Sequence, residues 1–167
     1  YLLVLSEDRP DLGGVATQFG QAENAAQPET KDYTPLLQRV KPGSVWRFRL
    51  AANPTKSCKN GVSSSERGTV KAHSTPEYQK QWLLERAAKN GFLLQEDAFD
   101  VTASRWLHFE KGTDFRRPVS LLSVTYEGIL QVTDTQLFCR LLTQGIGRGK
   151  AYGLGMMTVM RLGGEHG

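Results

Sequence analysis

Two spacings of apolar residues divide this chain. In Val45-Trp46-Arg47-Phe48-Arg49-Leu50 large apolar side chains fall at every second position with arginines between them. That period predicts a strand with one buried face and Arg47 and Arg49 on the other. Tyr1–Ser6, Phe92–Leu94, Phe99–Thr102, Ser104–Glu110, Val119–Val132 and Met156–Leu162 also read as strands or strand pieces. Lys111-Gly112-Thr113-Asp114 has the composition of a hairpin tip, with Arg116 and Arg117 just past it.

Helical spacing occurs twice. Ser74 or Thr75 can cap a helix with Pro76 at its first position and Glu77 in its first turn; Trp82, Leu83, Arg86 and Ala87 mark a face, and Asn90-Gly91 closes it. Asp134 caps the second, Thr135–Thr143, whose stripe is Leu137, Phe138, Leu141 and Leu142. Residues 7–34, rich in Glu, Asp, Gly, Gln and Ala, predict irregular connection, and residues 55–72 a basic, Ser-rich loop. From Val45 the order is β, α, β, β, α, β. That is the split βαβ of an α+β, ferredoxin-like (RRM-like) domain: a four-stranded antiparallel sheet with two helices on one face. The strand at Tyr1 does not fit inside this unit and is expected to be the remnant of a preceding domain.

Charge sharpens the picture. Residues 1–40 hold six acids and three bases, whereas residues 41–167 hold eighteen bases and eleven acids. Residues 41–89 alone carry ten bases against three acids. Such asymmetry favours a polyanionic partner over a neutral small molecule. No window has the run of apolar residues that a membrane span requires, and the first residues lack the basic start of a signal peptide. Cys58 and Cys139 sit in unrelated contexts and read as reduced cytosolic thiols.

The densest signal is Gly145-Ile146-Gly147-Arg148-Gly149-Lys150-Ala151-Tyr152-Gly153-Leu154-Gly155. Glycines free the backbone for positive φ and for close approach to a ligand. Bare amides so exposed can bind phosphate oxygens, and Arg148 and Lys150 add charge. A P-loop is excluded. Only three residues separate Gly145 from Gly149, Ala151 replaces the magnesium-binding hydroxyl, and the order is helix, loop, strand rather than strand, loop, helix.

A helix, this loop and a closing strand together resemble the signature of the CRISPR RNA-processing endoribonucleases. Phe48-Arg49-Leu50-Ala51-Ala52-Asn53-Pro54-Thr55-Lys56 and the Trp82-Leu83 helix after a basic stretch narrow the resemblance to the CasE type. Ala52, Asn53, Pro54 and Lys56 match that group's strand end, and Ala51 stands where it has an arginine. The resemblance runs from Tyr1 to about Leu162. It implies residues 1–44 as the remnant of an N-terminal ferredoxin-like domain plus linker, 45–162 as the C-terminal RNA-binding domain, and 163–167 as a disordered tail. It further implies cleavage of CRISPR repeat RNA at the 3′ base of its hairpin, without metal or cofactor. The 2′-hydroxyl attacks in line and leaves a 2′,3′-cyclic phosphate. Implied partners are the repeat hairpin and other Cascade subunits in a prokaryotic cytoplasm, with no membrane and no small-molecule substrate. The alternative is a non-catalytic RNA-binding subunit of a CRISPR effector complex.

The histidine and tyrosine that serve this chemistry in the family lie in a first-domain helix that no residue here matches, so they are expected upstream of Tyr1. His73 reads as a helix-cap neighbour, His108 as a sheet-face or RNA-contact residue, and His166 as tail. No catalytic residue and no metal ligand is therefore assigned. The expected RNA contacts are Gly145, Gly147, Arg148, Gly149, Lys150, Gly153 and Gly155 in the loop. To these are added Lys111, Arg116 and Arg117 at the hairpin, and Lys56, Lys59 and Lys71 in the basic stretch. Trp82 and Trp106 read as core.

Overall fold

A computed structural model describes residues 3–14, 29–58, 69–72, 75–112 and 117–162. The chain divides into two compact units, Tyr1–Arg39 and Val40–Gly167. In the first, the described residues include a short helix, α1 (Thr34–Arg39), whose first turn Asp32 closes by accepting from the Thr34 amide at 2.9 Å. Leu3–Ser6 form no strand, contrary to the sequence expectation. Leu3, Val4 and Leu5 are apolar without alternation, so nothing in them selects a sheet over an exposed segment.

The second unit holds β1 (Val45–Ala52), β2 (Thr55–Cys58), β3 (Thr69–Ala72), α2 (Pro76–Ala87), β4 (Phe92–Leu93), β5 (Phe99–Lys111), β6 (Arg117–Val132), α3 (Thr135–Gln144) and β7 (Met157–Arg161). β7 pairs β1, β1 pairs β6, and both β4 and β5 pair β6, antiparallel throughout. With β4 and β5 sharing one edge of β6, the strand order is that of a ferredoxin-like sheet. The alternation of β1 has the expected result. Trp46, Phe48, Leu50 and Ala52 are buried, facing Leu130, Tyr126 and Val124 of β6 on the same side. Trp82, Leu83 and Ala87 of α2 and Phe138, Leu141 and Leu142 of α3 close this core.

Both helix starts follow local chemistry. Pro76 stands at the first position of α2 after an extended Thr75, although no side chain caps it. Asp134 caps α3, accepting from the Leu137 amide at 2.9 Å, a bond of the kind worth about 1 kcal/mol. Gly91 takes φ 75° directly after the 3₁₀ turn that ends α2.

Two expectations need correction. The stretch 55–72 is not a loop at both ends: β2 and β3 pair antiparallel, with Lys56 opposite Lys71. Its low apolar content hid the strands, because neither needs a buried face to satisfy the other's backbone. The pieces read at Phe99–Thr102 and Ser104–Glu110 are one strand, with a register shift between Val101 and Ala103. A β-bulge breaks the alternation while the pairing continues.

Candidate nucleic-acid interface

The β5–β6 pair outruns the sheet. β1 stops at Ala52 opposite Val124, while pairing of β5 with β6 continues through Arg105↔Ser123 to Lys111↔Arg117. Seven paired rows thus project as a two-stranded ribbon, roughly 20 Å at the usual rise per residue. Lys111 is exposed at its far end. Arg117 begins β6, while Arg116 lies outside the described residues, as do Lys59, His73 and His166.

At the base of the ribbon Gln79 of α2 engages it with both its side chain and its main-chain carbonyl. Gln79 Nε2 donates to Ser104 Oγ at 3.2 Å, and the Gln79 carbonyl accepts from the Tyr126 hydroxyl at 3.0 Å. Tyr126 is fully buried, and burial pushes its phenol well above the ordinary range. Trp82 stacks on Tyr126 with ring centroids 6.1 Å apart, and the Arg86 guanidinium lies 4.3 Å from the Trp82 ring. The core reading of Trp82 is therefore correct. That of Trp106 is not: it is 50 % exposed on the ribbon, although Leu122 opposite it on β6 is buried.

The glycine loop is built largely against its own protein. Ile146 donates to the Gly155 carbonyl at 2.8 Å, Gly155 to Ala51 at 2.6 Å, and Leu154 to Gly149 at 3.2 Å. Lys150–Tyr152 form a 3₁₀ turn whose first bond runs from the Tyr152 amide to Gly149, so the amides of Lys150 and Ala151 stand ahead of it. Gly145, Gly147, Gly149, Gly153 and Gly155 all adopt positive φ. A Cβ on Gly147 would stand 3.0 Å from Trp82 Cζ2, and one on Gly145 2.8 Å from the Gly155 carbonyl oxygen. Gly153 alone of the five would meet nothing within 4 Å. Open approach is thus a property of Gly153, whereas the other four glycines are demanded by folding.

The loop touches both other features singled out in the sequence. Asn53, buried at the end of β1, forms an isolated bridge with Arg148, so the Asn-Pro strand end and the glycine loop are neighbours. Phe109 on the ribbon packs on Tyr152, ring centroids 4.9 Å apart. Lys111 shares the Phe109 face of the ribbon, and Lys150 lies two residues before Tyr152. Arg148, Lys150 and Lys111 are all exposed. Tyr152 and Phe109, the joint between the two cationic elements, escaped the sequence reading; nothing in their local pattern points to each other. Lys56 is exposed on β2, Lys71 lies opposite it on β3, and Arg49 is paired with Glu127 at 3.3 Å.

The model of the CRISPR associated protein family matches residues 1–161. The chain belongs to that family. Among curated members of the CRISPR associated family, the endoribonuclease Cse3 of Thermus thermophilus is 33% identical over 132 residues, covering 75% of this chain and 60% of Cse3. The structure of Thermus thermophilus Cse3 bound to an RNA representing a pre-cleavage complex superposes with TM-score 0.59 at 33% identity, over 72% of this chain and 55% of that one. A chain of a CRISPR RNA-guided surveillance complex in a pre-nicking state gives TM-score 0.64 at 26% identity, over 87% and 65%. This CRISPR associated chain therefore spans about three-fifths of the length of the curated relative it matches. No helix among its described residues is long and apolar enough to cross a membrane.

Proposed function

We propose that this chain is the RNA-holding part of an endoribonuclease that processes CRISPR repeat RNA. The observation that carries the reading is the Phe109–Tyr152 contact, which joins a cationic ribbon to a cationic glycine loop. An A-form stem keeps its base edges in a deep, narrow major groove, so it is gripped through phosphates and shape. Arg148, Lys150 and Lys111, with Arg116, Arg117, Lys56, Lys59 and Lys71, supply the positive charge, and Gly153 admits the backbone closely. Gly145, Gly147, Gly149 and Gly155 serve by giving the loop its shape. The kinship with Cse3, a named endoribonuclease whose structure was solved with RNA, supports the same substrate class here.

Cleavage in this reading occurs at the 3′ base of the repeat hairpin. The 2′-hydroxyl next to the scissile phosphate loses its proton and attacks in line. The 5′-oxygen leaves and takes up a proton, giving a 2′,3′-cyclic phosphate and a 5′-hydroxyl. A histidine titrating near neutrality moves these protons, assisted by a tyrosine, and neither belongs to residues 1–167. His108 Nδ1 lies 2.9 Å from Ser120 Oγ on the ribbon, and this reading gives it no part in the proton transfers. This chain by itself then binds the repeat hairpin without cutting it, and the whole protein joins other Cascade subunits with its RNA retained.

The test is incubation of residues 1–167, and separately of the full-length protein, with end-labelled repeat RNA. Hairpin binding by both, with site-specific cleavage by the full-length protein alone, is the expected result. Cleavage by residues 1–167 that His108→Ala abolishes would place the chemistry on the ribbon and overturn the assignment.

A further inference from the structure

Trp106 differs from the chain's other two tryptophans. Trp46 and Trp82 are each 2 % exposed, whereas half of Trp106 faces solvent. A single exposed apolar side chain is ordinary. What sets Trp106 apart is that its ring is held parallel to a second one. His108, two residues on and on the same ribbon face, stacks with it at 6.2 Å between centroids and 15° between planes. His108 is itself anchored across the ribbon, its Nδ1 lying 2.9 Å from Ser120 Oγ. A flat aromatic surface is therefore set in place before any ligand arrives, and little side-chain freedom remains to be lost on binding.

The surroundings restrict what such a surface can take. The ribbon is continuous with the cationic element proposed to hold RNA, with Lys111 at its end. The next residue on the Trp106–His108 face is the acidic Glu110, which sets this face apart from the one that carries Lys111. Bases within a stem are stacked on one another and offer no face. An unpaired base does, and aromatic side chains receive such bases with little regard to sequence.

We propose that Trp106 and His108 form a stacking platform for an unpaired base of the RNA beside the stem. The proposal rests on the RNA-binding reading and adds to it a second, single-stranded contact on the opposite ribbon face from Phe109 and Lys111.

The test compares two labelled RNAs on the full-length protein by fluorescence anisotropy: a blunt stem-loop, and the same stem-loop with a few unpaired nucleotides on each side. Trp106→Ala is expected to weaken the flanked RNA on the order of tenfold, the effect of one base–aromatic stack, and to leave the blunt RNA unchanged. Trp106→Phe, which keeps a ring, should retain most of the affinity. Flanked RNA should also quench indole fluorescence in the parent, and the quench should be absent in Trp106→Phe. That readout needs no destabilising variant. Equal loss for both RNAs in folded Trp106→Ala, or no loss for either, overturns the platform and favours a protein partner for this face. Failure of the parent to bind the blunt stem-loop overturns the stem reading instead. Quenching by a single-stranded oligonucleotide then decides the platform independently: quenching lost in Trp106→Phe supports it, and no quenching sinks it.

Discussion

Gly147 lies against the indole of Trp82: a Cβ there would stand 3.0 Å from Cζ2 and 3.2 Å from Cη2, so the ring would have to shift by a few tenths of an ångström. Trp82 is in turn stacked on Tyr126 and covered by Arg86, so the ring cannot give way without disturbing α2 and β6 together. Glycine loop and helix face, separate motifs in the sequence, meet at this contact.

Gly147→Ala is accordingly expected to destabilise the fold. Its φ of 79° alone disfavours an L-residue by about 1–3 kcal/mol, and the clash with Trp82 adds to that. Trp82→Phe removes both clashing ring atoms. A double-mutant cycle by urea denaturation should therefore show Gly147→Ala costing less in the Trp82→Phe background. Strictly additive losses would mean the two residues do not press on each other.

Gly153 is the position at which the loop's role toward RNA separates from its role in folding. Asparagine tolerates the left-handed region, and nothing of the protein lies within 4 Å of a Cβ built there. Gly153→Asn should keep the parent's melting behaviour within a few tenths to about 1 kcal/mol while weakening hairpin RNA. Parental affinity in this variant would show that no RNA backbone comes close at Gly153.

Arg148, Lys150 and Lys111 are exposed, so their removal should leave stability nearly untouched. Each alanine substitution is expected to reduce the slope of log affinity against log salt by about 0.7–0.9 if it loses one phosphate contact. An unchanged slope for all three would remove the phosphate grip from this face.

Tyr126 links folding to alkaline pH. Burial raises the folded-state pKa of its phenol above the unfolded value of 10.0, with the Arg86 charge opposing part of the rise. The stability it contributes is whole below the unfolded pKa and declines as pH climbs from there toward the folded value. Tyr126→Phe loses the bond to the Gln79 carbonyl, costing on the order of 1 kcal/mol at neutral pH, and should show a shallower stability loss above about pH 10. Parallel pH–stability curves for parent and variant would refute the linkage.

The elements that position the interface were legible wherever one residue's neighbours along the chain determine its state. The alternation in β1 reported its buried face because a strand's side chains face opposite ways residue by residue. Asp134 and Pro76 marked helix starts because capping and ring-fixed φ act within one turn. The glycine density of 145–155 announced a loop of positive φ, and net charge pointed toward the polyanionic partner proposed above. Pairings between distant segments carry no such local mark. β2 and β3 are polar strands that satisfy only each other, and the bulge after Val101 shifts the alternation of β5 midway. Trp106 is exposed while Leu122 opposite it is buried, a difference set by how the ribbon leaves the sheet beyond Ala52 rather than by the residues around either one. That Asn53 meets Arg148, Gly147 meets Trp82 and Phe109 meets Tyr152 was decided by tertiary packing alone, since each contact joins residues far apart in sequence whose meeting requires the whole sheet to be assembled first.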